Sequence, residues 1–483
     1  MNAPLRRLAL AVMVLFGLLL LNVNYLQVVR ANSLRNDPTN PRVIFEEYSR
    51  QRGPILVGGR PVANSVATKD RLKYKRVYPL GPLYAPATGF YSLIYGASGI
   101  ESAENSILAG TDDSLFVRRV IDQLTGEQVR GGSVQLTLNA RAQKAAYDGL
   151  HGRRGAVVAI DPSTGAILAL VTSPSYDPTL LASHDTQAVS KAYQQLNKDP
   201  NKPMLNRALR QTYAPGSTFK LVTAAAALES GRFQRDTPVF NGPKLDLPQT
   251  TVSLPNFDNR PCNLFGKTAT LEDALRRSCN AAFGKVGLDL GAVALRRQAE
   301  KFGMNAVVDT PIPSVRSRFP ANLDQPQTAQ SAIGQFDVRA TPLQMAMVVA
   351  AIANRGVLMK PFLVQEVRGP DLSVLSRTRP RELSTAISPR TADTLGQMMV
   401  TVVEKGTGTN AQISGIQVAG KTGTAQQGGN RKPHAWFVSF APVNDPKVAV
   451  AVVLEDGGGA AEVSGNKLAA PIAKAVMLAV LGR

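Results

Sequence analysis

Ser217 and Lys220 stand three residues apart in the stretch Tyr213-Ala-Pro-Gly-Ser-Thr-Phe-Lys220. Pro215 and Gly216 end an irregular segment, and residues 218–228 are almost wholly apolar until Gly231. That pattern predicts a buried helix with Ser217 in its first turn. Residues three apart share a helix face, so the hydroxyl and the amine are expected to meet at the helix start. Burial strips hydration from the lysine and favours its neutral form. The positive end of the helix dipole acts the same way and also favours an alkoxide at Ser217. A neutral amine beside a serine hydroxyl is an activated nucleophile that needs no histidine. The pattern is short, and Ser464/Lys467 repeats it. The second copy lies in a glycine-rich loop before the last helix, where a serine is more often a cap.

Two further groups could join the first. Ser278-Cys279-Asn280 follows a short helix opened by Thr270, with Asp273 placed to complete a capping box. Lys421-Thr422-Gly423-Thr424 lies on a strand predicted over 416–425.

The elements that must hold these residues fall into two blocks. Residues 31–138 read as a β-rich stalk: Gly58-Gly59 is a hairpin signal, and 133–138 alternates like a strand. No cluster in it suggests chemistry. Asn139 caps a helix over 140–150 and opens the second domain, 139–483. There, apolar strands at 156–160 and 166–172 flank a Pro/Gly turn. Helices start at Thr341-Pro342, with Gln344 placed for a capping box, and at Ser388-Pro389, which Gly406 stops. Strands return at 436–441 and 448–454 before a last helix over 467–481. Strands at both ends and helices between them predict an α+β fold, an antiparallel sheet closed by the two ends of the domain.

A length of 483 residues with 44% hydrophobic content supports two or three domains with a large core. The excess of 55 Lys+Arg over 35 Asp+Glu suits an anionic partner such as nucleic acid, a membrane surface or an acidic polymer, or is simply a basic surface. Three scattered histidines and two cysteines assemble no ordinary zinc set, so neither metal nor cofactor is expected. Arg6 and Arg7 precede a run with no polar side chain over 8–21, extended by 25–29 after Asn22 and Asn24. Residues 1–30 therefore read as a membrane anchor, with the N-terminus cytoplasmic and the body outside. A cleaved signal peptide is the alternative. Either placement argues against nucleic acid and permits a disulfide between Cys262 and Cys279, against two buried thiols.

The order Ser217-x-x-Lys220, Ser278-x-Asn280, Lys421-Thr-Gly resembles the motif set of penicillin-binding proteins and class A β-lactamases. The chain resembles class B penicillin-binding proteins, monofunctional peptidoglycan transpeptidases, over nearly its whole length. The likeness includes 155–178, Asn206-Arg-Ala208, 331–335, 340–344, Gly406-Thr-Gly408 and His434-Ala-Trp-Phe437. It implies a membrane-anchored stalk and a transpeptidase domain like that of serine β-lactamases. It implies that Ser217 attacks the penultimate D-alanine carbonyl of a D-Ala-D-Ala stem peptide and that Lys220 is its base. Ser278 would carry the proton to the leaving amine, and Asn280 would orient Lys220 and the substrate amide. Lys421 would supply charge, Thr422 and Thr424 would hold the substrate carboxylate, and Gly423 would let the strand approach the acyl group. The N–H groups of Ser217 and Thr424 would form the oxyanion hole. β-Lactams are the implied inhibitors, and a polytopic membrane glycosyltransferase the implied partner. One departure is Cys279 where the pattern carries aspartate; in a loop with Ser278 and Asn280 facing the cleft, it is expected to point away.

A β-lactamase would share the motifs, though an anchor and stalk would be unusual for it. A D,D-carboxypeptidase would share every catalytic residue and differ only in acceptor. A penicillin sensor would need further membrane spans, and an inactive scaffold should have lost Lys220 or Lys421.

Overall fold

The computed structural model describes residues 2–31, 47–257, 259–264, 266–427, 431–457 and 465–483. The second Ser-x-x-Lys copy begins at Ser464, outside the described residues.

The apolar N-terminal run forms α1 (Asn2–Asn24), continued by a wider turn at Tyr25–Val29. Together Ala3–Val29, 27 residues, are long and apolar enough to cross a membrane, about 40 Å at 1.5 Å per residue. The segment expected to form a stalk contains β1 (Ile55–Val57), β2 (Arg60–Ala67), β3 (Tyr74–Val77) and β4 (Ser133–Leu136). Gly58 and Gly59 turn β1 into β2 as the sequence predicts, both at positive φ. Beside this sheet Glu101, wholly buried, accepts 2.6 Å bonds from Arg52 and Arg76 and one from the Tyr78 hydroxyl. A buried carboxylate between two guanidinium groups holds position more than it adds stability.

The second block runs α2 (Ala140–Leu150), β5 (Gly155–Ile160), β6 (Ile167–Ser173), α3 (Lys220–Glu229), α4 (Asn280–Leu290), α5 (Pro342–Ala353), β7 (Val364–Arg368), β8 (Val374–Arg377), α6 (Pro389–Lys405), β9 (Ala419–Ala425), β10 (His434–Ala441), β11 (Val448–Leu454) and α7 (Ala470–Leu481). Asn139 and Ser388 cap α2 and α6 as expected. Thr341 caps α5, but the predicted box is only half formed: the Gln344 amide donates instead to the Phe302 carbonyl, 2.7 Å. The last helix is broken, with a short turn Gly465–Leu468 before α7.

The central sheet is antiparallel in the order β9-β10-β11-β5-β6, so the domain's two ends meet where β11 pairs with β5. Both its faces are covered. Val157, Ala159, Val450 and Val452 pack with α2 and α7, while Val158, Ala451 and Val453 pack into the larger core with α3 and α5. Double coverage explains why these strands read as continuous apolar runs. β9 is an edge strand, with one side open to a ligand.

The stalk sheet has the order β8-β7-β4-β1-β2-β3. Two of its strands, β7 and β8, come from far downstream, after α5. The hairpin pairs β7 with β4 antiparallel, while β4 and β1 run parallel.

Candidate active site

The segment that carries Ser217 is fixed before the helix begins. Tyr213 exchanges two backbone bonds with Ala340, the Trp436 indole donates to the Ala214 carbonyl, and Gly216 N–H donates to Gly334. Gly216 has φ +53°, and a Cβ there would stand 2.7 Å from the Thr424 carbonyl oxygen. Only glycine fits, because the left-handed region and the close strand both exclude a side chain.

The helix begins differently from the expectation. Gly216–Phe219 is a 3-10 turn, and α3 starts at Lys220. Ser217 is partly exposed while Thr218, Phe219 and Lys220 are buried. Its N–H belongs to the first turn, where a helix provides no internal acceptor.

The expected meeting of Ser217 and Lys220 is corrected in detail. The amine does not hydrogen-bond the Ser217 hydroxyl; it donates to the Ser278 carbonyl at 2.6 Å and the Asn280 side-chain oxygen at 2.8 Å. A third contact, to Ser278 Oγ, is 3.4 Å, at the weak edge of a hydrogen bond. A wholly buried amine seeks acceptors, and the loop after the helix Leu271–Arg276 and the first residue of α4 supply one each. A neutral amine satisfies both with its two N–H groups and keeps its lone pair for a proton.

That loop is held by local chemistry. Thr270 and Asp273 form the predicted capping box. Ser278 then adopts φ +62°, a conformation that costs a non-glycine residue roughly 1–3 kcal/mol. The Asn280 amide nitrogen donates to the Pro255 carbonyl, 3.0 Å, which fixes its oxygen toward Lys220. Cys279 is buried and disulfide-bonded to Cys262, Cα–Cα 5.9 Å, so the middle residue points into the fold.

β9 brings in the third group. Lys421 is wholly buried, and its amine donates to Ser278 Oγ at 2.7 Å and the Thr422 carbonyl at 2.9 Å. Ser278 Oγ is therefore the junction between the two lysines. Burial lowers the Lys421 pKa to about 7. Lys220 is pushed well below the ordinary lysine value, first by burial and then by the charge of Lys421.

Strand alternation sends Thr422 and Thr424 to the other face. Thr422 Oγ1 shares a 2.7 Å bond with Thr407 Oγ1. Sequence reasoning gave Thr407 no role; its only signal was the stretch Gly406-Thr-Gly408. For Gly423 packing supplies a reason. A Cβ there would stand 2.9 Å from both Thr218 Cγ2 and Trp436 Cβ. The bare position lets the segment that carries Ser217 pack on the strand, a contact additional to the approach to the acyl group that the resemblance implies.

The site thus holds a partly exposed hydroxyl, a buried lysine biased to neutrality, a second buried lysine and a bridging serine. Among the described residues, no carboxylate is a hydrogen-bond partner of these four side chains.

A family model described as the penicillin binding protein transpeptidase domain matches residues 155–478. A second, the penicillin binding protein A dimerisation domain, matches 52–134. A peptidoglycan D,D-transpeptidase PbpA of Mycolicibacterium smegmatis is 47% identical over 494 residues, spanning 100% of this chain and 99% of the relative. The PbpA of Mycobacterium tuberculosis is 46% identical over 490 residues, with the same shares covered. A ceftriaxone acyl-enzyme complex of penicillin-binding protein A from M. tuberculosis superposes with TM-score 0.88 at 45% identity, covering 90% of this chain and 100% of that one.

Proposed function

The chain belongs to the penicillin-binding protein transpeptidases, in their class B branch, and on that premise we propose how its residues carry out D,D-transpeptidation. The enzyme cross-links peptidoglycan by serine acyl transfer. Ser217 attacks the carbonyl of the penultimate D-alanine, and its proton passes to Lys220. The C–N bond breaks, and Ser278 returns the proton to the departing D-alanine amine. An acceptor amine then attacks the ester and releases Ser217. The N–H groups of Ser217 and Thr424 hold the oxyanion; one such donor is worth about 10²–10³ in rate. Asn280 orients Lys220 and the substrate amide. Lys421, Thr422 and Thr424 hold the terminal carboxylate, with Thr407 orienting the Thr422 hydroxyl. Gly423 gives this segment its close fit, and the Cys262–Cys279 bridge stiffens the loop bearing Ser278. The β-lactam amide follows the same path and stops at the acyl-enzyme, as in the acyl-enzyme complexes of the M. tuberculosis relative.

The observation that carries this reading is Lys220, wholly buried and pushed toward neutrality between Ser278 and Asn280, one turn from the partly exposed Ser217 hydroxyl. Labelling with a fluorescent penicillin tests it. Ser217→Ala should lose the labelled band, and Ser464→Ala should keep it. The reverse outcome for either variant contradicts the assignment.

Residues 1–30 are read as a single-pass anchor with a cytoplasmic N-terminus, 31–138 as the stalk, and 139–483 as the external catalytic domain. A span followed by a stalk suits a chain that works beside a polytopic membrane glycosyltransferase, which would feed it glycan strands. Crosslinking from stalk positions in native membranes should capture such a protein.

A further inference from the structure

The stalk sheet has two ends with different neighbours. At one end β4 stops at Leu136 and the chain passes into the catalytic domain. There Thr137 N–H donates to the Leu363 carbonyl and Asn139 N–H to the Leu168 carbonyl, both at 2.9 Å. At the opposite end β1 and β4 begin side by side, Ile55 against Val134. There β2 also turns into β3, with Ala67 paired to Tyr74, and β7 turns into β8 just past the Arg368–Ser133 pair. The chain enters the sheet at this same end: Gln51 accepts a 2.9 Å bond from Gly131 N–H, just before β4.

A helix at this end, Phe116–Thr125, is laid on inside out. Phe116, Val120, Ile121 and Leu124 fall on one helix face, and all four are exposed, Leu124 by 83%. Asp122, on the opposite face, is buried. A helix that packs on its own domain has the reverse pattern. Its surroundings extend the same surface. Leu115, just before the helix, lies under the β7–β8 turn, its Cδ2 3.7 Å from where a Cβ on Gly369 would stand. That turn adds exposed Leu372 and Val374. Just after the helix, Gln128 accepts from the Tyr74 hydroxyl at 3.3 Å, which brings in the β2–β3 turn. Lys69, Arg71 and Lys73 are exposed on that turn. Its one acid, Asp70, is bonded to His184 at 2.6 Å.

An outward apolar helix face beside basic side chains is the composition of a segment that lies in a membrane interface. Anionic headgroups would meet the basic turn. The route of the chain favours the same occupant. The apolar N-terminal helix ends before residue 32, and residues 32–46 can span no more than about 50 Å. A second copy fits less well. A two-fold contact sets a patch against itself, which would bring basic turn toward basic turn. We propose that this end of the stalk is a membrane seat: the helix Phe116–Thr125 lies in the bilayer interface with Phe116, Val120, Ile121 and Leu124 in the lipid, and Lys69, Arg71 and Lys73 hold anionic headgroups. The seat fixes the tilt of the catalytic domain over the bilayer. This rests on the reading of residues 1–30 as an anchor.

The test uses the full-length chain in nanodiscs of phosphatidylcholine and phosphatidylglycerol. Cys262 and Cys279 are paired, so a Leu124→Cys variant takes a single bimane label. Val293→Cys, exposed on the catalytic domain, is the control. Lipids carrying a doxyl group high on the acyl chain should quench the label at 124 about twofold and leave the label at 293 unchanged. Phe116→Ser with Ile121→Ser should abolish the quenching at 124 while labelling by a fluorescent penicillin stays complete. Omitting phosphatidylglycerol should weaken the quenching, and Lys69→Gln with Lys73→Gln should remove that dependence. Equal quenching at 124 and 293, or quenching that survives the double serine variant, would overturn the seat. Photocrosslinks from 124 to a second copy without quenching by lipid would overturn it in favour of a dimer face. A full-length chain that alkaline carbonate strips from vesicles would instead overturn the anchor reading, and the seat with it.

Discussion

Lys220 and Lys421 are two buried lysines joined through one serine hydroxyl, and their protonation states must differ for the chemistry to run. Lys220 acts as a base only when neutral, and burial with the neighbouring charge depresses its pKa. The proposed role of Lys421 as an anion binder needs its charge, and with its pKa lowered to about 7 by burial that charge is lost as pH rises through neutrality. Acylation by a carboxylate-bearing penicillin should therefore fall at low pH as Lys220 gains its proton. It should fall again above about pH 7 as Lys421 loses one. Stopped-flow acylation rates across pH 5 to 9 check this, and a rate still rising toward pH 9 would contradict the role of Lys421. At this scale the motif residues were legible because the reaction needs those side-chain types at fixed offsets. What the sequence withheld was direction. Nothing in residue order says that the Lys220 amine turns to Ser278 and Asn280, that Ser278 takes positive φ, or that Thr407 meets Thr422.

The elements hold those side chains through close backbone contact. β9 and the Ser217 turn touch through Gly216 and Gly423, each lacking the Cβ that would collide with its neighbour. Gly423→Ala places a methyl against Thr218, Trp436 and the Pro215 carbonyl, two of them backbone-anchored. It should cost about 1–3 kcal/mol of stability and slow penicillin acylation by displacing the turn. Denaturant unfolding and acylation rates measured on the same preparation test this; an unchanged acylation rate would mean that the contact does not position Ser217. The helices were legible from their caps, as Asn139, Thr270 and Ser388 show, and the strands of the central sheet from their double coverage. The 3-10 turn was not, because a proline-glycine entry signals where a helix starts without specifying its first turn.

Across the whole molecule, the stalk sheet is built from two distant parts of the chain, with β7 and β8 returning to complete it. Sequence patterns identify a strand but not its partner, so this link was not legible. It predicts that residues 139–483 made alone leave β7 with an unpaired edge. That fragment should self-associate or unfold about 5 °C or more below a 31–483 protein, as size-exclusion and thermal unfolding would report; a monomer of equal stability would contradict the linkage. The most direct test of the account follows the intact protein after acylation. Attack by water on the ester requires a positioned base, and the described partners of Lys220, Ser278 and Lys421 include no carboxylate to serve as one. In a β-lactam adduct the leaving group also stays tethered beside the acyl bond. Intact-protein mass spectrometry, after removal of excess penicillin, should show one drug per chain persisting far beyond a β-lactamase turnover. Clearance of the adduct within seconds, with hydrolysed drug in excess over enzyme, would show a hydrolase and contradict the transpeptidase account.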